Sequence, residues 1–260
     1  MPVSIDLPEQ MLATFLLVMA RMGGLMTFLP LPGLKAGPDV ARVMFAVLSA
    51  VMMFPVWSRP ANAPIAPEYF LAALASEMML GLAVGIAVSY LAEILTLAAQ
   101  SLSLQAGYGY ATTIDPTTQA DAGYLVVLAQ LLAGLMFFTT GIDRQVLAIL
   151  GRSYDRVPPG HVVFSPSLSE ALTSSASAIF STGLRLALPV IALLAMADIA
   201  LALVGRLNAQ LQVTTISFPV KMIAGLALLA WISALIPNVF QQAARPILTL
   251  VEQLTHGAAR

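Results

Sequence analysis

Gln105-Ala-Gly-Tyr-Gly-Tyr-Ala-Thr-Thr-Ile-Asp-Pro116 is a loop-like stretch, uncharged as far as Asp115 and set between two long apolar segments. Gly107 and Gly109 release the backbone from helical geometry, and Tyr108 and Tyr110 add bulk with a polar tip. Asp115 followed by Pro116 has the form of an N-cap with proline at the first helical position. The expectation is a helix that stops near Gln105 and another that begins near Pro116. Irregular backbone at membrane depth persists only where protein buries it or where it lines a wet cavity. This stretch, the start of an interruption between spans, is therefore the first place to look for a functional site.

The composition around it is that of a membrane protein. The 260 residues are 59% hydrophobic and 10% charged, against roughly 25% charged residues in soluble domains. There is no cysteine, which excludes disulfides and thiolate metal sites, and the two histidines, His161 and His256, are far apart in sequence. A net charge of -1 gives no basic field for nucleic acid. Met1–Gln10 carries Asp6 and Glu9 but no Lys or Arg, so it lacks the positive n-region of a signal peptide, and the first apolar segment is expected to stay attached.

Six long apolar helices plus a C-terminal amphipathic helix follow from the hydropathy pattern, an all-α fold of integral-membrane-type helical hairpins. The first segment is Met11–Leu29, with Arg21 near its middle and the breaker cluster Pro30-Leu-Pro-Gly33 at its end. The second is Val40–Trp57. The third, Tyr69–Leu104, would reach about 54 Å as one helix, well past a hydrocarbon core of roughly 30 Å, so it must kink, tilt or leave the bilayer. It carries Glu77, Glu93 and a GxxxG spacing at Gly81 and Gly85 that permits close helix approach. Glu77 shares a face with Gly81, whereas Glu93 points elsewhere, so two buried partners are needed. The fourth segment runs from about Thr117 to Gly141. Arg152–Ser177, with three prolines and six serines after His161, reads as a loop and as the boundary between two halves. The fifth segment is Ala178–Leu207, carrying Arg185, Pro189, Asp198 and Arg206. The sixth opens on Ser217-Phe-Pro219-Val-Lys221, a cap with proline in the first turn, and ends before Pro237. The tail Asn238–Arg260 has the pattern of an amphipathic helix, for a membrane interface or a docking partner. Lys and Arg in the short loops do not orient the chain.

No Ser/His/Asp arrangement, metalloprotease motif, Walker motif or glycine-rich phosphate fingerprint is present. Neither enzymatic activity nor a cofactor is expected.

Three stretches in order resemble the FliR/SctT family, the export-gate component of flagellar and virulence type III secretion. Ala20-Arg-Met-Gly-Gly-Leu-Met-Thr-Phe-Leu-Pro-Leu-Pro-Gly33 is similar to the family's Arg-x-x-Gly helix and Pro-x-x-Gly break. Gln105–Pro116 resembles its Gln-x-Gly-x-x-x-Ala…Asp-Pro loop. Leu186-Ala-Leu-Pro189, through Asp198 and Arg206, to Phe218-Pro-Val-Lys221 resembles its Leu-Pro…Arg…Gln…Phe-Pro-x-Lys run. Asn208-Ala-Gln-Leu-Gln-Val213 departs from the Pro-Gln-x-Asn-Val usual in that run.

The resemblance implies a bacterial inner-membrane subunit of a flagellar basal body or injectisome base. It would join FliP/SctR-like and FliQ/SctS-like subunits, with an FlhB/SctU-like switch protein, in a gate passing unfolded polypeptide across the bilayer. It also implies that residues 1–155 are arranged like the first partner, that 156–177 connect, and that 178–260 are arranged like the second. Much of such an assembly stands above the bilayer, so six predicted spans need not be six real ones. Gly107, Tyr108, Gly109, Tyr110 and Ala111 match the loop that plugs the closed pore in that family. Arg21, Glu77, Glu93, Arg185, Asp198, Arg206 and Lys221 are assigned to pairing between helices or subunits, and Gly81, Gly85, Asp115, Pro116 and Pro219 to packing. The competing reading is a stand-alone small-solute transporter with Gln105–Pro116 as a broken-helix binding site, though no internal repeat supports it. The flagellar branch is the working expectation.

Overall fold

A computed structural model describes residues 9–33, 39–57, 67–107, 123–163, 166–207, 213–232, 234 and 236–257. Among them the chain is helical, with no strand. The helices are α1 (Glu9–Phe28), α2 (Val40–Met52), α3 (Phe54–Trp57), α4 (Phe70–Ala106), α5 (Tyr124–Thr139), α6 (Ile142–Arg156), α7 (Pro166–Leu207), α8 (Val213–Ile232) and α9 (Ile236–Gly257), with a 3₁₀ turn at Pro67–Tyr69. The all-α, membrane-type class holds. Among the described residues three helices are long and apolar enough to cross a bilayer, within Gln10–Phe28, Phe70–Ala106 and Ser181–Leu203, and a fourth span results if α5 and α6, bent by 62°, are taken as one. The second expected span shrinks because α2 has only 13 residues, about 20 Å of helix.

α4 is the axis. Its 37 residues contain no proline and are rich in Ala and Leu, the best helix formers. It packs against α1 most extensively, then α7, α5, α9 and α8. Small residues make the α1–α4 seam: a Cβ on Gly81 would lie 2.0 Å from the Arg21 carbonyl oxygen, one on Gly85 2.8 Å from that of Leu25, and one on Gly24 2.4 Å from that of Met78. The two backbones therefore touch with no side chain between them. Next to the seam lie Val18, Met22, Leu25, Leu80, Val84 and Val88, all buried.

Three expected elements differ. The serine-rich run is not all loop: α7 already starts at Pro166, and among the described residues irregular backbone between α6 and α7 is confined to 157–163. Proline suits a first helical turn, and serine costs only a few tenths of a kcal/mol against alanine in a helix. Pro219 is not in a first turn, because α8 begins at Val213 and carries it inside. The carbonyl that Pro219 leaves without a donor is that of Thr215, still near the helix start, where the loss is tolerated. Finally, α9 is amphipathic as expected but docks on its own chain. Phe240, Ala244, Ile247, Leu250, Val251 and Leu254 are buried in the same core as α1 and α4, and α9 packs against α4, α6 and α7.

Candidate functional site: a buried ion pair and the end of α4

Arg21 on α1 and Glu77 on α4 are both fully buried and face each other across the glycine seam. The guanidinium Nε donates to Glu77 Oε2 at 2.5 Å and Nη2 to Oε1 at 3.0 Å, a two-point pairing. Gly81, one turn beyond Glu77, sits under the Arg21 backbone carbonyl, so α4 grips both the main chain and the side chain of Arg21. The remaining donors go to α6 and the turn after it: Nη1 to Ser153 Oγ at 2.9 Å and Nη2 to the Val157 carbonyl at 3.3 Å. The Gly160 N–H donates to Glu77 Oε1 at 2.7 Å; this glycine has φ +89°, a left-handed conformation that side chains other than glycine's disfavour. The Tyr154 ring lies 4.3 Å from the Arg21 guanidinium carbon, a cation–π contact. Among the described residues its buried hydroxyl has no hydrogen-bond partner. One buried pair thus ties together α1, α4, α6 and the turn toward α7.

A second polar junction lies at the far end of α4. Lys221 Nζ on α8 pairs with Asp198 Oδ1 on α7 at 2.5 Å, and Gln105 Nε2 in the last turn of α4 donates to Asp198 Oδ2 at 3.1 Å. Gly107 ends α4 with φ +84°, and its N–H bonds back to the Leu104 carbonyl, the left-handed cap typical of glycine. The helix thus stops one residue past Gln105, within three helices' reach of this junction.

Of the residues singled out in the sequence, the structure brings Arg21 to Glu77, Asp198 to Lys221, and Gly81 and Gly85 to the α1 backbone. Glu93, Arg185, Arg206 and Pro219 are exposed. Tyr108, Gly109, Tyr110, Ala111, Asp115 and Pro116 lie outside the described residues. Sequence reasoning missed Ser153, Tyr154, Val157 and Gly160, although Ile142, Val146, Leu150, Ser153 and Tyr154 recur at helical spacing and are the buried face of α6. It also missed Arg42, a lone arginine in the apolar second segment. Arg42 is buried and donates through Nη1 to the Met26 and Leu29 carbonyls, satisfying the C-terminal end of α1 as a cation does. Among the described residues no group of three His, Asp or Glu could hold a metal ion.

Spanning-length apolar helices, a backbone-tight glycine seam and ion pairs held between helices define a polytopic membrane protein. Residues 12–246 match the model of the bacterial export proteins, family 1, and the chain belongs to that family. It is 28% identical to the flagellar biosynthetic protein FliR of Escherichia coli over 217 residues, 83% of this chain and 82% of the relative. It is 26% identical to FliR of Bacillus subtilis, covering 91% and 95% of the two chains. The secretion system apparatus protein SsaT of Salmonella typhimurium is 25% identical, with 74% and 77% covered.

Proposed function

We propose that this chain is a subunit of the type III secretion export gate. With FliP/SctR-like and FliQ/SctS-like membrane subunits it forms the inner-membrane channel through which unfolded proteins leave the cytoplasm, and an FlhB/SctU-like protein switches substrate class beside it. The observation that carries this reading is the end-to-end similarity to proteins named for flagellar biosynthesis and for a secretion apparatus. The predominance of flagellar names among these relatives supports the flagellar branch and a place in the basal body. The apolar outer face of α2, where Val40, Val43, Met44, Leu48, Val51 and Met52 are exposed, supports a chain built to be covered by lipid or neighbours.

Residues 1–155 take the place of one more FliP/SctR-like subunit, and 178–260 that of a FliQ/SctS-like hairpin. Gly107, Tyr108, Gly109, Tyr110 and Ala111 plug the pore at rest: glycines let the segment swing, and aromatic bulk closes a lumen yet yields to a passing chain. The left-handed end of α4 at Gly107 supports a chain that leaves its helix abruptly there. The test is a native strain whose chromosomal copy lacks residues 107–111. Assembly should persist while the membrane leaks small ions as the gate loses its closure. A strain that assembles the complex and stays ion-tight contradicts the plug, and a strain lacking the whole gene that still exports flagellar proteins contradicts the gate.

A further inference from the structure

The last turn of α4 belongs to a packing unit of its own. Leu102 and Ala106 are buried against Val190 and Leu194 of α7, with Ile191 and Ala224 beside them, in a cluster separate from the main core. A Cβ on Gly225 of α8 would lie 3.3 Å from Ala106 Cβ, so α8 approaches the same turn closely. The preceding part of α7 belongs elsewhere, since Leu186 packs against the main core. Pro189 falls between the two parts. It has no N–H to offer the Arg185 carbonyl, so α7 lacks one rung of its ladder where it passes from one cluster to the other. Proline is a usual site of helix bending.

One polar contact adds direction to that apolar cluster. Asp198, further along α7, divides its carboxylate between two helices: Oδ1 takes Lys221 Nζ of α8 at 2.5 Å, and Oδ2 accepts from Gln105 Nε2 of α4 at 3.1 Å. Lys221 fixes the carboxylate by one oxygen, which leaves the other for Gln105. Gln105 is the last polar side chain before Gly107 ends α4 with φ +84°. Apolar contact is non-directional and holds a helix end at several rotations, whereas an amide–carboxylate bond needs one alignment. Gln105 therefore decides in which direction the chain leaves α4. The bond is also easily broken, because Asp198 keeps 39% of its side chain exposed and water competes for it.

Resting on the gate reading, we propose that Gln105 is the positioning residue of the plug. Through Asp198 it ties the helix end from which residues 107–111 depart to the α7–α8 hairpin, and the gate opens when that bond breaks. A swing of α7 at Pro189 carries Asp198 away from Gln105 and releases the helix end, while Arg21, Glu77 and the main core stay in place. Asp198 and Lys221 both belong to the hairpin and remain paired throughout, so no charge is left alone when the gate opens.

The test uses the full chain, expressed from its own locus as part of the assembly it forms. Potassium efflux from resting cells is measured for wild type, Gln105→Leu, Gln105→Lys, Asp198→Ala and the Gln105→Leu/Asp198→Ala double variant. It is divided by the amount of assembled complex, so a variant that only assembles poorly does not read as leaky. Gln105→Leu and Asp198→Ala should each raise efflux about fivefold, which is what losing one net hydrogen bond does to a two-state balance. Gln105→Lys can still donate to Asp198 Oδ2 and should stay near wild type, and the double variant should leak no more than the worse single one. Leu104→Ala, next to Gln105 but exposed, should change nothing. Efflux unchanged in Gln105→Leu overturns the proposal, as does Gln105→Lys leaking like Gln105→Leu, or single effects that multiply in the double variant. The strain lacking residues 107–111 separates the two readings. If it assembles and stays ion-tight, the plug falls and this inference with it; if it leaks and Gln105→Leu does not, this inference alone falls.

Discussion

The two ion pairs differ in surroundings, and so should their variants. Arg21 and Glu77 are both sealed from water, so Glu77→Gln leaves an uncompensated buried guanidinium, at a cost of about 3–5 kcal/mol. Asp198 keeps 39% of its side chain exposed, and water takes over much of the lost partner's work there, so Lys221→Ala should cost under about 1 kcal/mol. Denaturant titration in a fixed micelle would rank them, and an equal loss for the two contradicts the structure. Tyr154→Phe removes a buried hydroxyl that has no partner among the described residues while keeping the ring on Arg21, and should be neutral or stabilising by up to about 1 kcal/mol; a clear loss in the same titration would mean that the hydroxyl is bonded. The sequence already marked Arg21 and Glu77 as charges needing buried partners, because each stands alone in an apolar run. It could not pair them, since they are 56 positions apart and nothing local says which helix packs on which. Ser153, Tyr154 and Gly160 were still less legible, because their roles exist only once α6 and the turn after it close over the pair.

At the scale of elements, the α1–α4 seam depends on glycine at some positions and not at others. Gly81→Ala would drive a methyl into the Arg21 backbone carbonyl, 2.0 Å away; backbone cannot step aside as a side chain does, and the cost should be about 3 kcal/mol or more. Gly23 is also on α1 but faces open space, so Gly23→Ala should stabilise by about 0.5–1 kcal/mol through the helix preference alone. Thermal unfolding of the two variants side by side checks this, and a harmless Gly81→Ala would disprove the seam. The GxxxG spacing is common in apolar helices and was a weak sign by itself; Gly24, Met78 and Leu25 had to be placed before it meant contact. The long apolar helices α1 and α4 were legible to within a few residues at both ends and α5 at its C-terminal end, since periodicity and breakers there agree; the start of α5 was not, because it lies at Tyr124, after the non-helical Gly123, and not near Pro116. The start of α7 was not, because serine and proline favour loops on average yet are well suited to a helix's first turns. Nor was the docking of α9, since an amphipathic pattern shows that one face is covered and not by what.

At the scale of the whole molecule, α4 packs against helices from both ends of the chain, and the last helix buries its apolar face in the same core as α1 and α4. Deleting the tail should therefore unsettle the N-terminal helices as well. The composition identified a membrane protein immediately, but apolarity alone does not separate helices facing lipid from helices facing protein, and α2, with 13 residues, is too short to cross. The exposed apolar face of α2 is one that lipid or neighbouring protein would cover. The central claim is that this chain works as one subunit of an export gate, and the most direct test is gentle-detergent affinity purification of the tagged chain from its native cell, with mass spectrometry of the intact assembly. The account predicts one stable complex containing two further small membrane subunits. A clean monomer or homodimer, under conditions in which other membrane complexes of the cell survive, would contradict it.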